Sequence, residues 1–357
     1  MPSYRVKIST SIGSRLQGHT QYAQYPNCNA GNPGDKFEFR SSCIVIACER
    51  SNAQKKDEIE NNPSNTIHVQ MKRALLLYYA ANVQKARVYS ISVHRIVKNV
   101  KTLITELKYD EKNQPLHLLP VPAMYQFNLG LLMQNGLGNG SHLYETILSH
   151  WLGAWTVSDR YEKFSRLWRC LEQLSVKAHH GAGTQEKQRL ESLRNFIRGH
   201  AANLTESCHH VNGMTYAEFR AFFWKLLIFN NFKRSAGVGK YQEYRDYFVL
   251  PYHDERVMQM LNDTLVYRTN ELTTHHLIAA ISGHITAELA NPVTRNEDVV
   301  AILSAYYAYY TRNKIFHGEY SERSFSICKS SEDDIVDKLN ALMEKVTYEL
   351  IDCYHIL

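Results

Sequence analysis

Thr294–Ile327, TRNEDVVAILSAYYAYYTRNKIFHGEYSERSFSI, is the stretch on which the reading of this 357-residue chain turns. Thr294 and Glu297 stand at the spacing of a capping box, in which each side chain satisfies the other's orphan backbone N–H. Val299, Val300, Leu303, Tyr306, Tyr307 and Tyr310 then recur at helical spacing, which predicts a helix with one buried apolar face. Tyr309 is the ring expected to turn outward. Where the apolar face runs out come Arg312, Asn313 and His317, with Gly318 directly after the imidazole. A guanidinium, an amide and an imidazole at the end of a buried helix contribute little to a core, but they suit chemistry on a phosphate. At about 100° per residue Asn313 and His317 share a face, whereas Arg312 lies roughly 140° from His317. The three converge only if the helix ends or distorts near Gly318, a common terminator, or if a second copy of the segment faces the first.

Working outward, the chain beyond Ser141 reads as helix after helix. His142–Thr156, Asp159–Val176 and Thr184–Leu204 carry apolar stripes at three- and four-residue spacing, for example Phe164, Leu167, Trp168, Leu171 and Leu174. Thr215 and Glu218 cap a fourth helix, whose Phe219, Phe222, Phe223, Leu226 and Leu227 imply deep burial. Glu255–Val266 and Leu272–Leu289 follow, then the central stretch, then a last helix over Ser331–Cys353 with Ser331 and Asp334 at its start. The N-terminal part has a different texture. Tyr4–Ser9, Phe37–Cys48 and Arg87–Ile96 read as strands, His68–Val83 as a helix, and residues 10–36 and 51–65 as loops. The expected fold is mainly α: an α/β unit over 1–108, a proline-bearing connector over 109–140, and a helical domain over 141–357. Gln134–Gly140 holds three glycines, but no Lys-Ser/Thr follows them, so a flexible linker is preferred to a phosphate cradle.

Composition bounds the function. Hydrophobic residues make up 44% and charged residues 21%, enough for a packed core and against wholesale disorder. A formal charge of +6, with pI near 8.8, permits nucleic-acid binding without requiring it. Neither a leader-like apolar run at the start nor a stretch of membrane-spanning length is expected. Seven scattered cysteines read as reduced thiols, hence a cytoplasmic setting.

Arg312-Asn-Lys-Ile-Phe-His317, after a tyrosine-rich helix and before a long C-terminal one, resembles the Arg-x4-His motif of the HEPN-domain ribonucleases. Phe164–Leu174 is similar to an early helix of that family bearing a W-x-x-L/A-E run, here Trp168 to Glu172. The resemblance spans at most 141–357 and implies a HEPN-like helical bundle acting as an endoribonuclease. It implies Arg312, Asn313 and His317 as catalytic residues, with Glu172 and Tyr320 supporting; from the residues themselves, Lys314, Arg323 and Lys329 near the motif either track an RNA backbone or form a solvated rim. Tyr320 stands in His317-Gly-Glu-Tyr320, whereas some relatives have His-x-Tyr. The family cuts single-stranded RNA through its own 2′-OH, leaving 2′,3′-cyclic phosphate and 5′-OH ends, and commonly assembles as homodimers. No cofactor or metal is expected. Toxin or antiviral defence roles, and a regulatory or antitoxin partner, are further implications of the resemblance.

Other constellations were weighed from the residues alone. His179, His180, His200, Cys208, His209 and His210 include zinc-ligand types but lack ligand spacing, so a loop histidine cluster is the plainer reading. Cys43 and Cys48 read as core thiols. The rival to a ribonuclease is a non-catalytic HEPN-like module, an RNA-binding or protein-interaction scaffold in which Arg312 and His317 merely close an interface. A hydrolase or transferase seated in the α/β unit has no motif behind it.

Overall fold

Strand β1 (Ser3–Thr10) buries Tyr4, Val6 and Ile8 and exposes Arg5 and Lys7, the period-2 signature of a sheet with one covered face. The computed structural model describes residues 2–25, 28, 32–138, 140–180, 185–231, 238–317 and 330–357, and two compact units emerge from it, 1–159 with 354–356 and 160–353 with 357. In the first, β1 is joined by β2 (Thr20–Ala23), β3 (Asp35–Phe39), β4 (Cys43–Glu49), β5 (Val88–Val97) and β6 (Val100–Lys108). They form one sheet in the order β2-β3-β4-β1-β5-β6, and every pairing is antiparallel. The register sets Phe37, Ile46, Val6 and Val93 side by side across four strands, all fully buried. Phe37–Cys48, expected as one strand, is a hairpin: the Arg40 N–H bonds the Cys43 carbonyl and turns the chain. The stretch 10–36, expected as loop, contains β2. The Lys98–Asn99 turn, with both residues at positive φ, links β5 to the unforeseen β6.

Helices α1 (Lys56–Asn61), α2 (Thr66–Ala81), α3 (Leu129–Leu137) and α4 (His142–Ala154) complete this unit. The Asn65 side chain caps α2 by accepting from the Ile67 and His68 N–H groups. The glycine-bearing stretch expected as a flexible linker is largely helix, since α3 runs to Leu137. A Cβ on Gly136 would come within 2.4 Å of Leu77 Cδ2, so the small residue lets α3 close on α2. The expected connector also carries core. Tyr125 and Phe127 pack on Trp151 and Trp155 of α4 and its end, all of them buried. For this reason α4 falls in the first unit, and the division comes at Asp159/Arg160 rather than at residue 141.

The second unit is helical: α5 (Arg160–Ala178), α6 (Glu186–Gly199), α7 (Thr205–Asn212), α8 (Tyr216–Arg220), α9 (Trp224–Asn231), α10 (Val238–Glu243), α11 (Glu255–Leu265), α12 (Thr269–Thr274), α13 (Ile278–Ala290), α14 (Asn296–Ala301), α15 (Ala308–Phe316) and α16 (Ser331–Asp352). Ile302–Tyr307 is π-helical and joins α14 to α15 into one rod. Every residue from Asp298 to Ala308 is buried, so the rod is enclosed on all sides rather than along one stripe. Its wider turn brings two successive rings inward: the Tyr307 hydroxyl accepts from the Phe223 N–H at 2.9 Å, and the Arg194 guanidinium lies 4.0 Å over the Tyr306 ring. The Thr215–Glu218 box is present, but the helix it starts is short, and Leu226 is exposed rather than buried. At the last helix the box is Ser330 with Asp333, one residue earlier than expected. At the rod's start the expected box does not form. Asp254 takes the Arg295 N–H at 2.7 Å, and Glu297 pairs with the Arg295 guanidinium at 3.0 Å. No described helix is long and apolar enough to cross a membrane.

Candidate functional site

The exposed end of the buried rod is where the motif residues stand. Tyr310 and Thr311 are still buried, Arg312, Asn313 and Lys314 are half-buried, and Phe316 and His317 are exposed. The helix closes with the His317 N–H on the Asn313 carbonyl at 3.0 Å. His317 is therefore the capping residue, its imidazole open to solvent on a fixed backbone.

Arg312 is held from two sides. Its Nη1 donates to Asn313 Oδ1 at 2.9 Å, and its guanidinium lies 4.7 Å from the centre of the Phe316 ring. Its Nε is buried and has no hydrogen-bond partner among the described residues. Arg189 and Arg268 share an unpaired buried Nε, so this feature alone does not single Arg312 out. The Asn313 amide thus orients the arginine, not the imidazole, by its side-chain hydrogen bond. Among the described residues no hydrogen bond or ion pair joins Arg312 to His317, which agrees with their separation around a regular helix.

The remaining expected site residues scatter. Lys314 lies 5.6 Å over the Tyr310 ring, so its ammonium is partly engaged by the helix's own aromatic side. Glu172 is half-buried on α5, one turn beyond Trp168, whose ring packs 5.9 Å from Tyr309. Tyr309 is therefore half-buried against Trp168 rather than turned outward. Glu172 has no side-chain hydrogen bond or ion pair among the described residues. Tyr320, Arg323 and Lys329 lie outside the described residues, as does Gly318.

The histidines and cysteine gathered from the sequence as zinc-ligand types do not form a group within ligand reach of one another among the described residues. Burial, with Glu297 and Glu349 adding to it, pushes the Cys208 thiol up to about 11, and burial with Lys345 and His209 lowers His210. The described cysteines are all free thiols. Burial, with Asp35 beside it, raises Cys48 well above the usual thiol range, so it stays protonated and unsuited to nucleophilic attack. A cavity of about 550 Å³ is lined by His210, Met214, Glu218, Leu303 and Asp337 among others, but by none of the motif residues. No family model, no curated protein and no solved structure matches the chain.

Proposed function

We propose that the protein is a HEPN-type endoribonuclease that cuts single-stranded RNA without a metal, with Arg312, Asn313 and His317 as its working residues. The observation that carries this reading is Arg312: a guanidinium steadied by Asn313 and Phe316, five residues before an exposed imidazole at the helix end. Forked donors of this kind match phosphate oxygens. RNA supplies its own nucleophile. Removal of the 2′-OH proton lets O2′ attack the adjacent phosphorus, and the P–O5′ bond breaks as O5′ gains a proton. The products are a 2′,3′-cyclic phosphate and a 5′-OH.

An imidazole has the right acidity for either proton transfer, but one imidazole does not serve as both at once. Two copies of the segment facing each other across a two-fold axis supply the pair and bring one chain's Arg312 near the other's His317. A homodimer is accordingly part of the proposal, as are a toxin or antiviral role and restraint by a partner protein.

The test is cleavage of a labelled single-stranded RNA by the wild type and by His317→Ala. The expected result is loss in the variant, activity on RNA but not on the DNA analogue, which lacks the 2′-OH, and an unchanged rate in excess chelator below the unfolding temperature. A mixed dimer of Arg312→Ala and His317→Ala chains should recover part of the activity, since one composite site keeps both groups. Undiminished cleavage by folded His317→Ala removes the motif from the chemistry and leaves the scaffold reading.

A further inference from the structure

Away from the motif, the second unit brings together three side chains that the sequence does not link. His253 precedes α11, while His284 and Glu288 stand one turn apart on the same face of α13. His253 Nδ1 is 3.0 Å from Glu288 Oε1, and His284 Nδ1 is 4.0 Å from the same oxygen. The three donor atoms all lie within 4.8 Å of one another. The two rings meet edge to face at 5.5 Å.

The tautomer of His284 follows from its other nitrogen. Nε2 is 3.0 Å from the Tyr252 carbonyl oxygen. A carbonyl only accepts, so Nε2 carries the hydrogen, and in a neutral ring Nδ1 is then a bare lone pair. That lone pair faces a carboxylate, which is another acceptor. Such an opposition at 4.0 Å is relieved either by a proton on Nδ1 or by a metal cation held between the two. A backbone carbonyl on the far ring nitrogen is also the arrangement that orients a metal-binding histidine.

The backbone that carries His253 is fixed in advance. Asp298, fully buried, accepts from the His253 N–H at 2.7 Å, the Asp254 N–H at 3.2 Å and Arg198 Nε at 3.1 Å. Arg198 also donates to the Pro251 carbonyl. The Asp254 carboxylate holds Arg256 at 2.8 Å, and the Glu255 N–H bonds the Val293 carbonyl at 2.9 Å. A ligand held on such a rigid frame loses little freedom on binding.

We propose that His253, His284 and Glu288 form a binding site for a divalent transition-metal ion of the zinc type. Two imidazoles and a carboxylate are a zinc donor set, and three protein ligands leave a fourth position for water. Bonds of about 2.0–2.1 Å in a tetrahedron place ligand atoms roughly 3.4 Å apart. The observed 3.0 and 4.0 Å bracket that value, so small side-chain rotations close the site. Side-chain exposures of 15, 24 and 33% leave it reachable from solvent. In the ion-free chain His253 Nδ1 lies 3.0 Å from Glu288 Oε1; with the ion bound, the ring hydrogen sits on Nε2. The metal ties the loop ahead of α11 to α13 and takes no part in the proposed cleavage.

The experiment uses the full chain without a histidine tag, stripped with chelator, dialysed, and titrated with zinc chloride against a chromophoric chelator. Thermal unfolding is followed with and without zinc. One equivalent should bind per chain and raise the transition by roughly 5–10 °C at a hundredfold excess over Kd. Glu288→Gln and His284→Ala should each weaken that equivalent by more than about tenfold and abolish the zinc-induced rise, while His210→Ala leaves both intact. If His284→Ala does not fold, near-isosteric Glu288→Gln decides. Absence of saturable binding, or equal zinc affinity in Glu288→Gln and wild type, overturns the assignment.

Discussion

Two arginines, one in each unit, show how differently the same side chain is used. Arg50 in the first unit is nearly fully buried and ion-paired through both terminal nitrogens. Its two terminal nitrogens reach both oxygens of Asp35 at 2.7 and 2.5 Å, its Nε reaches Thr66 Oγ1 at 2.7 Å, and its plane lies 4.1 Å over Tyr25. Gln70 adds a further donor to Asp35 at 3.0 Å. With the Glu49 carbonyl on Nη1, four of the five Arg50 N–H donors have acceptors. Among the described residues Arg312 in the second unit has one side-chain acceptor, an aromatic neighbour and a buried donor without a partner. A buried, ion-paired guanidinium holds a fold together; the proposed role of Arg312 rests on its being bound less fully.

Four outcomes can break or sharpen that contrast. The largest effect belongs to the exposed imidazole of the motif. His317→Ala should lower RNA cleavage by about 10²–10⁴-fold with no more than a small change in the unfolding transition, because the side chain is exposed. Next, Arg50→Ala leaves Asp35 buried without its counter-charge and should cost about 3–5 kcal/mol in chemical denaturation. Replacing both members with apolar residues of similar volume should cost much less; an equal cost in both variants would mean that packing, not charge, dominates there.

Arg312→Ala should invert the pattern of Arg50→Ala. Cleavage should fall about 10²–10³-fold, while stability changes by less than about 1 kcal/mol. A destabilisation matching that of Arg50→Ala, with cleavage intact, would place Arg312 among the structural arginines.

The smallest effect concerns a carboxylate used for structure. Burial pushes the Asp333 carboxyl up, but the Ser330 N–H and hydroxyl, the Tyr161 hydroxyl and Arg160 outweigh it and hold the group below its ordinary range. A depressed folded value adds stability that is fully present above the unfolded pKa of about 4 and is lost as pH falls through the folded value. Asp333→Asn should therefore cost about 0.3–1 kcal/mol at neutral pH, and the difference should fade as pH falls below the ordinary carboxylate range. A difference that persists unchanged at low pH would exclude the charge as its source.

Local rules carried much of the fold. The alternation in Tyr4–Ser9 set the buried face of β1, and the spacing of Leu167, Trp168, Leu171 and Leu174 located the inner face of α5 correctly, since all four are buried. The Thr215–Glu218 box formed as written because neither partner meets a stronger competitor. The Thr294–Glu297 box failed for the opposite reason: the buried Asp254 carboxylate takes the Arg295 N–H, and Glu297 turns to the Arg295 guanidinium. Gly136 was misread as linker because a glycine's role in close helix packing depends on its neighbour, here Leu77.

For the candidate site, sequence determined the identity and order of Arg312, Asn313 and His317, and helical geometry alone already separated the first from the last. That Asn313 grips the guanidinium, that Phe316 lies beneath it and that Nε is left buried and unpaired among the described residues were decided only in three dimensions. The metal-ligand triad shows the same division. His284 and Glu288 stand at a spacing that sequence can place on one helix face, but nothing local connects them to His253. That meeting depends on how the loop ahead of α11 is pinned by Asp298, and long-range pairing of this kind leaves no periodic trace in a chain.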